Sequence, residues 1–212
     1  MKWSFSKTIC LRNKNLQPQP HIGRQVSHFN QVNIDGIEAV FSEDMKYRYR
    51  LSIPFDDEPS RTKTLTVILK NPSSADAIKA DKTVQNVEKV VYKAFADVGK
   101  VEVLNLFALR GTYPKDIMEA YVAGIDIVGK ENNSAFAHAL MNSDYIIIAW
   151  GGASPIRNSL YDLRVDEVLN MINVTHNLAR LSRQIYRKKE KGSDKYPFHA
   201  CYWPDNTDFS VC

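Results

Sequence analysis

No apolar run in the 212 residues approaches the ~18 needed to cross a bilayer as a helix. The opening segment, Met1-Lys-Trp-Ser-Phe-Ser-Lys7, also lacks the apolar core of roughly 7–15 residues that marks a signal peptide. The expectation is a cytoplasmic protein with no membrane partner. Cysteine is scarce: Cys10, Cys201 and Cys212 stand far apart, without the C-x-x-C spacing of zinc or iron–sulfur ligands. An odd number near the two ends provides no disulfide framework and agrees with a reducing compartment. The histidines, His21, His28, His138, His176 and His199, are scattered without ligand spacing, so neither a metal nor another cofactor is expected. Internal repeats and low-complexity segments are missing too.

The charge excess is mild, +4, and names no partner by itself. Its distribution is more telling. Between Arg180 and Lys195 seven basic residues (Arg180, Arg183, Arg187, Lys188, Lys189, Lys191, Lys195) outnumber Glu190 and Asp194. Such a cluster suits a phosphate backbone or a nucleotide. It equally suits a solvated helix end, where cations complement the macrodipole.

What is present is ordinary globular composition, 44% hydrophobic and 25% charged, in a length that fits one domain. Residues 1–35 read as an N-terminal extension, with Gln17-Pro-Gln-Pro20 breaking any element, and 36–212 as a single α/β domain. Glu38–Phe41 and Tyr47–Ile53 alternate like a strand pair at a sheet edge. In the second, Tyr47, Tyr49, Leu51 and Ile53 share one face and Lys46, Arg48, Arg50 and Ser52 the other. Thr64–Lys70, Val101–Phe107 and Tyr145–Trp150 are continuous apolar runs, the pattern of parallel strands buried on both faces, and Phe198–Trp203 reads as a fourth. Helical spacing covers Asp81–Val98, with Gly99 as its stop, a short stretch after Pro114, Asn133–Met141, and most of Ile156–Lys189 with a break near Asn173–Thr175. The alternation predicts a three-layer α/β/α sandwich around a mostly parallel four-stranded sheet, with right-handed crossovers, plus the N-terminal strand pair.

In such sheets ligands bind beyond the carboxyl ends of the strands. The first buried strand stops at Asn71-Pro72, because proline cannot donate to a ladder, and Ser73, Ser74 and Asp76 follow at once. The second ends in Asn105 and Arg110, the third in Trp150-Gly151-Gly152, and the last segment carries His199. Each residue alone has a plainer reading. A strand-end Asn caps or turns, Asp76 or Asp81 can cap a helix, and a single histidine can be a satisfied core residue. Cys201, close to His199, is either a nucleophile or a small buried residue. Ser154-Pro155-x-Arg157 after the glycines is either a phosphate-binding helix start or a strand-to-helix turn.

Taken together, Arg48-Tyr-Arg-Leu, Asn71-Pro-Ser-Ser-Ala-Asp, Asp81-x-Thr83, Asn105-Leu-Phe-Ala-x-Arg110, Ala149-Trp-Gly and Phe198-His resemble the bacterial and phage family filed as domain of unknown function 1643. The resemblance spans about residues 36–205. More distantly, the same landmarks look like the uracil-DNA glycosylase superfamily, an α/β/α fold. That likeness implies a water-positioning role for Asn71 in Leu69-Lys70-Asn71-Pro72, uracil-edge reading by Asn105, and a Trp-Gly strand end at Trp150-Gly151. It also implies that His199 contacts the base oxygen. Lys70 departs from the motif's glycine, and Ala200-Cys201 from its Pro-Ser. The stacking aromatic has no motif counterpart; Tyr49, Tyr113 and Trp203 are available, and Tyr202 and Trp203 stand where DNA-inserting loop residues would.

These residues suit cleavage of an N-glycosidic bond, which places negative charge on the departing base and positive charge on the sugar. The expected catalytic set is Asn71, Asp76 and His199. Ser73, Ser74, Asn105, Arg110, Trp150, Gly151 and Arg157 are expected to hold a nucleic acid or nucleotide. The function expected is that of a nucleobase-recognising, DNA glycosylase-like hydrolase. The alternatives are a non-catalytic nucleic-acid or nucleotide binding module on the same fold, and a hydrolase of free nucleotides with Asp76 as its base.

Overall fold

The structure is a computed structural model that describes residues 25–179 (except 57, 74 and 112), 184–188 and 196–211. Its strands are β1 (Gln25–Val26), β2 (Glu38–Phe41), β3 (Arg48–Pro54), β4 (Lys63–Leu69), β5 (Ala80–Asp81), β6 (Val98–Asn105), β7 (Tyr145–Ile148), β8 (Gln184–Lys188) and β9 (Phe209–Val211). Four α-helices join them: α1 (Lys82–Ala94), α2 (Pro114–Val122), α3 (Asn132–Met141) and α4 (Asn158–Ala179). Seven strands form one mixed sheet in the order β2-β3-β6-β4-β7-β8-β9, while β1 and β5 form a separate antiparallel pair. Neighbours within β6-β4-β7-β8 run parallel; β2, β3 and β9 are antiparallel additions at the edges. Among the described residues no helix is long and apolar enough to cross a membrane.

Apolar side chains leave both faces of the central strands, as the unbroken runs require. Leu65 and Val67 of β4 join Val101 and Val103 of β6 and Val84, Val87 and Val91 of α1 in one core. Ile68, Leu104, Ile146 and Ile148 point the other way, onto Ile117 of α2, Phe136 and Leu140 of α3, and Tyr161, Val165 and Val168 of α4. Each such side chain, fully buried, contributes about 1.5–3 kcal/mol, so both faces are committed to helices. Residues ahead of β2 pack on the same body: His28 Nδ1 meets Glu88 Oε1 of α1 at 2.5 Å, and Phe29 N–H donates to Glu88 Oε2 at 2.8 Å.

Several sequence expectations are corrected. The fourth parallel strand is β8, not Phe198–Trp203. Ile185 and Tyr186 register with Ile146 and Ile147 of β7, in a stretch read from sequence as helix. Residues 200–202 instead wind into a single 3-10 turn, closed by Tyr202 N–H to His199 O and Trp203 N–H to Ala200 O, both 3.1 Å. Helix α4 runs unbroken through 173–175, and Thr175 Oγ1 donates to the Met171 carbonyl one turn back (2.7 Å). Gly99 is not a helix stop but part of β6, where a Cβ would fall 2.1 Å from the Arg61 carbonyl oxygen. Arg61 itself ends α1, donating to the carbonyls of Tyr92, Phe95 and Val98. The single apolar face expected from Tyr47 to Ile53 is broken by a bulge. Val40 pairs with Arg50 but Phe41 with Arg48, so Tyr49 has no partner on β2. Tyr47 then packs on the α3–α4 core, while Leu51 and Ile53 join the α1 core.

Candidate functional site

The carboxyl ends of β4 and β7, the start of α1 and the turn after His199 surround a cleft of about 480 Å³. Lys70, Asn71 and Ser73 form one wall, Asp81, Thr83 and Val84 the next, Gly151, Gly152 and Ser154 a third. Arg48, His199, Cys201 and Tyr202 complete it.

His199 is held in one protonation form. Its Nδ1 accepts the Cys201 N–H at 3.1 Å, so a neutral ring carries its proton on Nε2. Burial, and secondarily the Lys70 charge, push its pKa down to about 4, against a weaker opposing pull from Asp81. At neutral pH it is therefore an imidazole donor and not an imidazolium. Gly151 makes room for the ring: its φ is +75° and an added Cβ would lie 3.0 Å from His199 Cβ and 3.3 Å from Cδ2.

Asn71 is oriented from outside. Its Nδ2 donates to the Gly111 carbonyl at 2.9 Å, which leaves the second Nδ2–H as a donor and Oδ1 as an acceptor. Ser73 Oγ donates to Asp81 Oδ2 at 2.5 Å, and Asp81 Oδ1 caps α1 by accepting Val84 N–H at 2.9 Å. Asp81 is thus a helix cap, as its sequence position suggests, but one that also faces the cleft.

Two cations missing from the expected site set are built into the walls. Lys70 is 6% exposed, and its Nζ donates to Gly152 O (2.5 Å) and Ser154 O (3.2 Å). Burial lowers its pKa. It braces the glycine loop after β7, which explains how a lysine occupies a position where the resembled motif has glycine. Arg48 is 1% exposed, donates one Nη to Ala75 O at 2.8 Å, and has no acceptor at Nε. Desolvation, opposed chiefly by Asp81, brings it down to about 10, so it stays charged at neutral pH. Arg48 opens the first of the family motifs, but its strand periodicity does not mark it as a cleft residue, because the bulge depends on strand pairing. Burial raises the Cys201 pKa, so it presents a thiol.

Of the expected residues, Asn71, Ser73, Gly151 and His199 meet in the cleft. Asp76 lies outside its walls; its Oδ1 caps a turn by accepting the Ile78 and Lys79 N–H groups. Asn105 is fully buried beside Leu69 in the β4–β6 register, and among the described residues neither of its side-chain polar atoms has a partner. Trp150 is buried in the α3–α4 core. Arg110 also lies outside the walls, donating to Met45 O (3.1 Å) and Ser73 O (3.5 Å), and Arg157 is exposed beyond them. Ser74 falls outside the described residues, as does most of the 180–195 basic segment. Trp203 is core, whereas Tyr202 is 69% exposed at the mouth of the cleft, the aromatic best placed to cover a ligand. Among the described residues no group of three His, Cys, Asp or Glu stands close enough to hold a metal ion.

No curated protein and no solved structure matches the chain. A family model does, from residue 48 to residue 199, a span that opens on Arg48 of the cleft and closes on its histidine. Covering well over half of the sequence, this match shows that the chain belongs to the family described as a protein of unknown function (DUF1643).

Proposed function

We propose that the cleft recognises a nucleobase and hydrolyses the N-glycosidic bond that attaches it, in DNA or in a nucleotide. The observation that carries this reading is the neutral His199, its Nδ1 committed to a backbone N–H and its Nε2–H left to donate in a cleft shared with Asn71. As the bond breaks, negative charge develops on the departing base, and a preoriented donor at its oxygen is the largest kind of stabilising contribution. Asn71 Oδ1 accepts a hydrogen bond from the attacking water and aims it; the proton that the water sheds as its oxygen bonds the sugar carbon neutralises the departing base anion, since Asn71 cannot take it. Asp81 supplies negative charge near the developing sugar cation, and Tyr202 offers the base a ring to stack on. Asp76, engaged in its turn, has no part in this scheme.

A second reading, a nucleic-acid or nucleotide binding module without hydrolysis, is favoured by the withdrawal of Asn105 from the cleft and by Lys70 at the motif's glycine position. The deciding experiment compares wild type with Asn71→Ala and His199→Ala on labelled oligonucleotides, single- and double-stranded. The panel carries uracil, hypoxanthine, mismatched thymine and modified pyrimidines. Alkali-labile strand scission by wild type, lost in both variants, supports the hydrolase. Silence on every substrate with salt-sensitive binding retained leaves the binding module.

A further inference from the structure

We infer that the Arg48 side of the cleft is a seat for a phosphate oxyanion, so that the ligand is held by a phosphate as well as by its base. The inference rests on reading the cleft as the nucleotide site, and not on the bond being cleaved. Arg48 makes no ion pair among the described residues, although it is almost wholly enclosed. Among the described residues its acceptor is the neutral Ala75 carbonyl, and Nε has none. A buried cation without an ion pair is costly, because desolvation removes several kcal/mol of hydration that a carbonyl and the Asp81 charge restore only in part. Lys70 repeats the pattern: it is buried, and among the described residues it is bound to two carbonyls.

The one acidic side chain on these walls does not cancel both cations. Asp81 is already engaged by Ser73 Oγ and the Val84 N–H. The amino end of α1 reaches the same wall at Thr83 and Val84, with its Val84 N–H already taken by Asp81. Two buried cations and an unpartnered guanidinium N–H around a single carboxylate call for a ligand anion with several acceptor oxygens. Phosphate has them, and the planar guanidinium fork matches phosphate geometry. A volume of about 480 Å³ also leaves room for a base and sugar beside it. The phosphate belongs either to a free nucleotide or to a nucleic-acid backbone; both present the same oxygens.

Calorimetric titration of the full chain separates these sources and tests the seat. The probes are a nucleoside, the matching nucleoside monophosphate and a short single-stranded oligonucleotide, with inorganic phosphate as competitor. The expected result is that a phosphate-bearing probe binds at least roughly tenfold tighter than the nucleoside. Phosphate should compete, and Arg48→Met and Lys70→Met should each erode the advantage. A preference for the monophosphate assigns a free nucleotide, and a preference for the oligonucleotide assigns the backbone. If Arg48→Met does not fold, the wild-type comparison and the phosphate competition decide alone. Equal affinity for nucleoside and phosphate-bearing probes, or binding by none of them, overturns the seat. Base release without phosphate dependence would keep hydrolysis and remove the seat; phosphate-dependent binding without base release would do the reverse.

Discussion

The neutrality of His199 carries a stability signature that can be measured without knowing the ligand. In the unfolded chain the imidazole titrates at its ordinary 6.5; in the fold, burial and the Lys70 charge hold it near 4. Between those values the unfolded chain binds more protons than the native one, so lowering the pH favours unfolding. The stability tied to the neutral ring is fully present above about pH 6.5 and is lost as the pH falls toward about 4. At about 1.4 kcal/mol per pKa unit the whole drop is worth about 3 kcal/mol. One side of the ring meets cleft water, which screens part of this, so about 2 kcal/mol is expected by pH 4.5. Urea unfolding of wild type and His199→Gln at a series of pH values isolates it, since the other acidic groups titrate alike in both. Wild type should lose about 2 kcal/mol more than the variant between neutrality and about pH 4.5. Parallel stability curves would refute the neutral ring, and with it the donor role at neutral pH.

Three further outcomes are expected. Glu88→Ala strands the His28 ring and the Phe29 N–H in a buried site and should cost about 3–5 kcal/mol in urea unfolding; a loss below about 1 kcal/mol would show that residues 25–35 are not anchored there. Gly151→Ala should cost at least about 1–2 kcal/mol for its left-handed backbone, and it should also shift the His199 ring resonances in histidine-selective spectra, since the new methyl meets that side chain; an unshifted ring would contradict the contact. Tyr202→Ala, at an exposed position, should leave stability within about 0.5 kcal/mol while weakening a base-bearing ligand by about 1–3 kcal/mol in calorimetry; unchanged affinity would remove the stacking role.

The parts of the fold that were legible in the sequence are those where local pattern and final environment coincide. The apolar runs of β4, β6 and β7 are buried on both faces, and they end where Asn71 and Gly151 reach the cleft. β8 was not legible, because Gln184–Lys188 becomes a strand through pairing with β7 and its own charge pattern reads equally well as helix. His199 was found from its neighbourhood although its element was not, since a 3-10 turn and a short strand present similar sequences. Arg48 and Lys70 were invisible as cleft cations. One depends on a bulge set by β2, and the other on a glycine loop eighty residues away. Asn105 shows the opposite limit: a polar residue at a strand end need not face the cleft, and this one is fully buried, its amide without a partner among the described residues.

The central claim is that His199 donates from Nε2 to a ligand in this cleft. Histidine-selective ¹⁵N spectra during titration with a nucleoside monophosphate test it most directly. The account predicts a neutral His199 ring protonated at Nε2, whose resonance moves saturably as ligand is added while that of His28, which does not line the cleft, stays in place. A His199 ring protonated at Nδ1, or one that stays unmoved while the ligand binds, would contradict it.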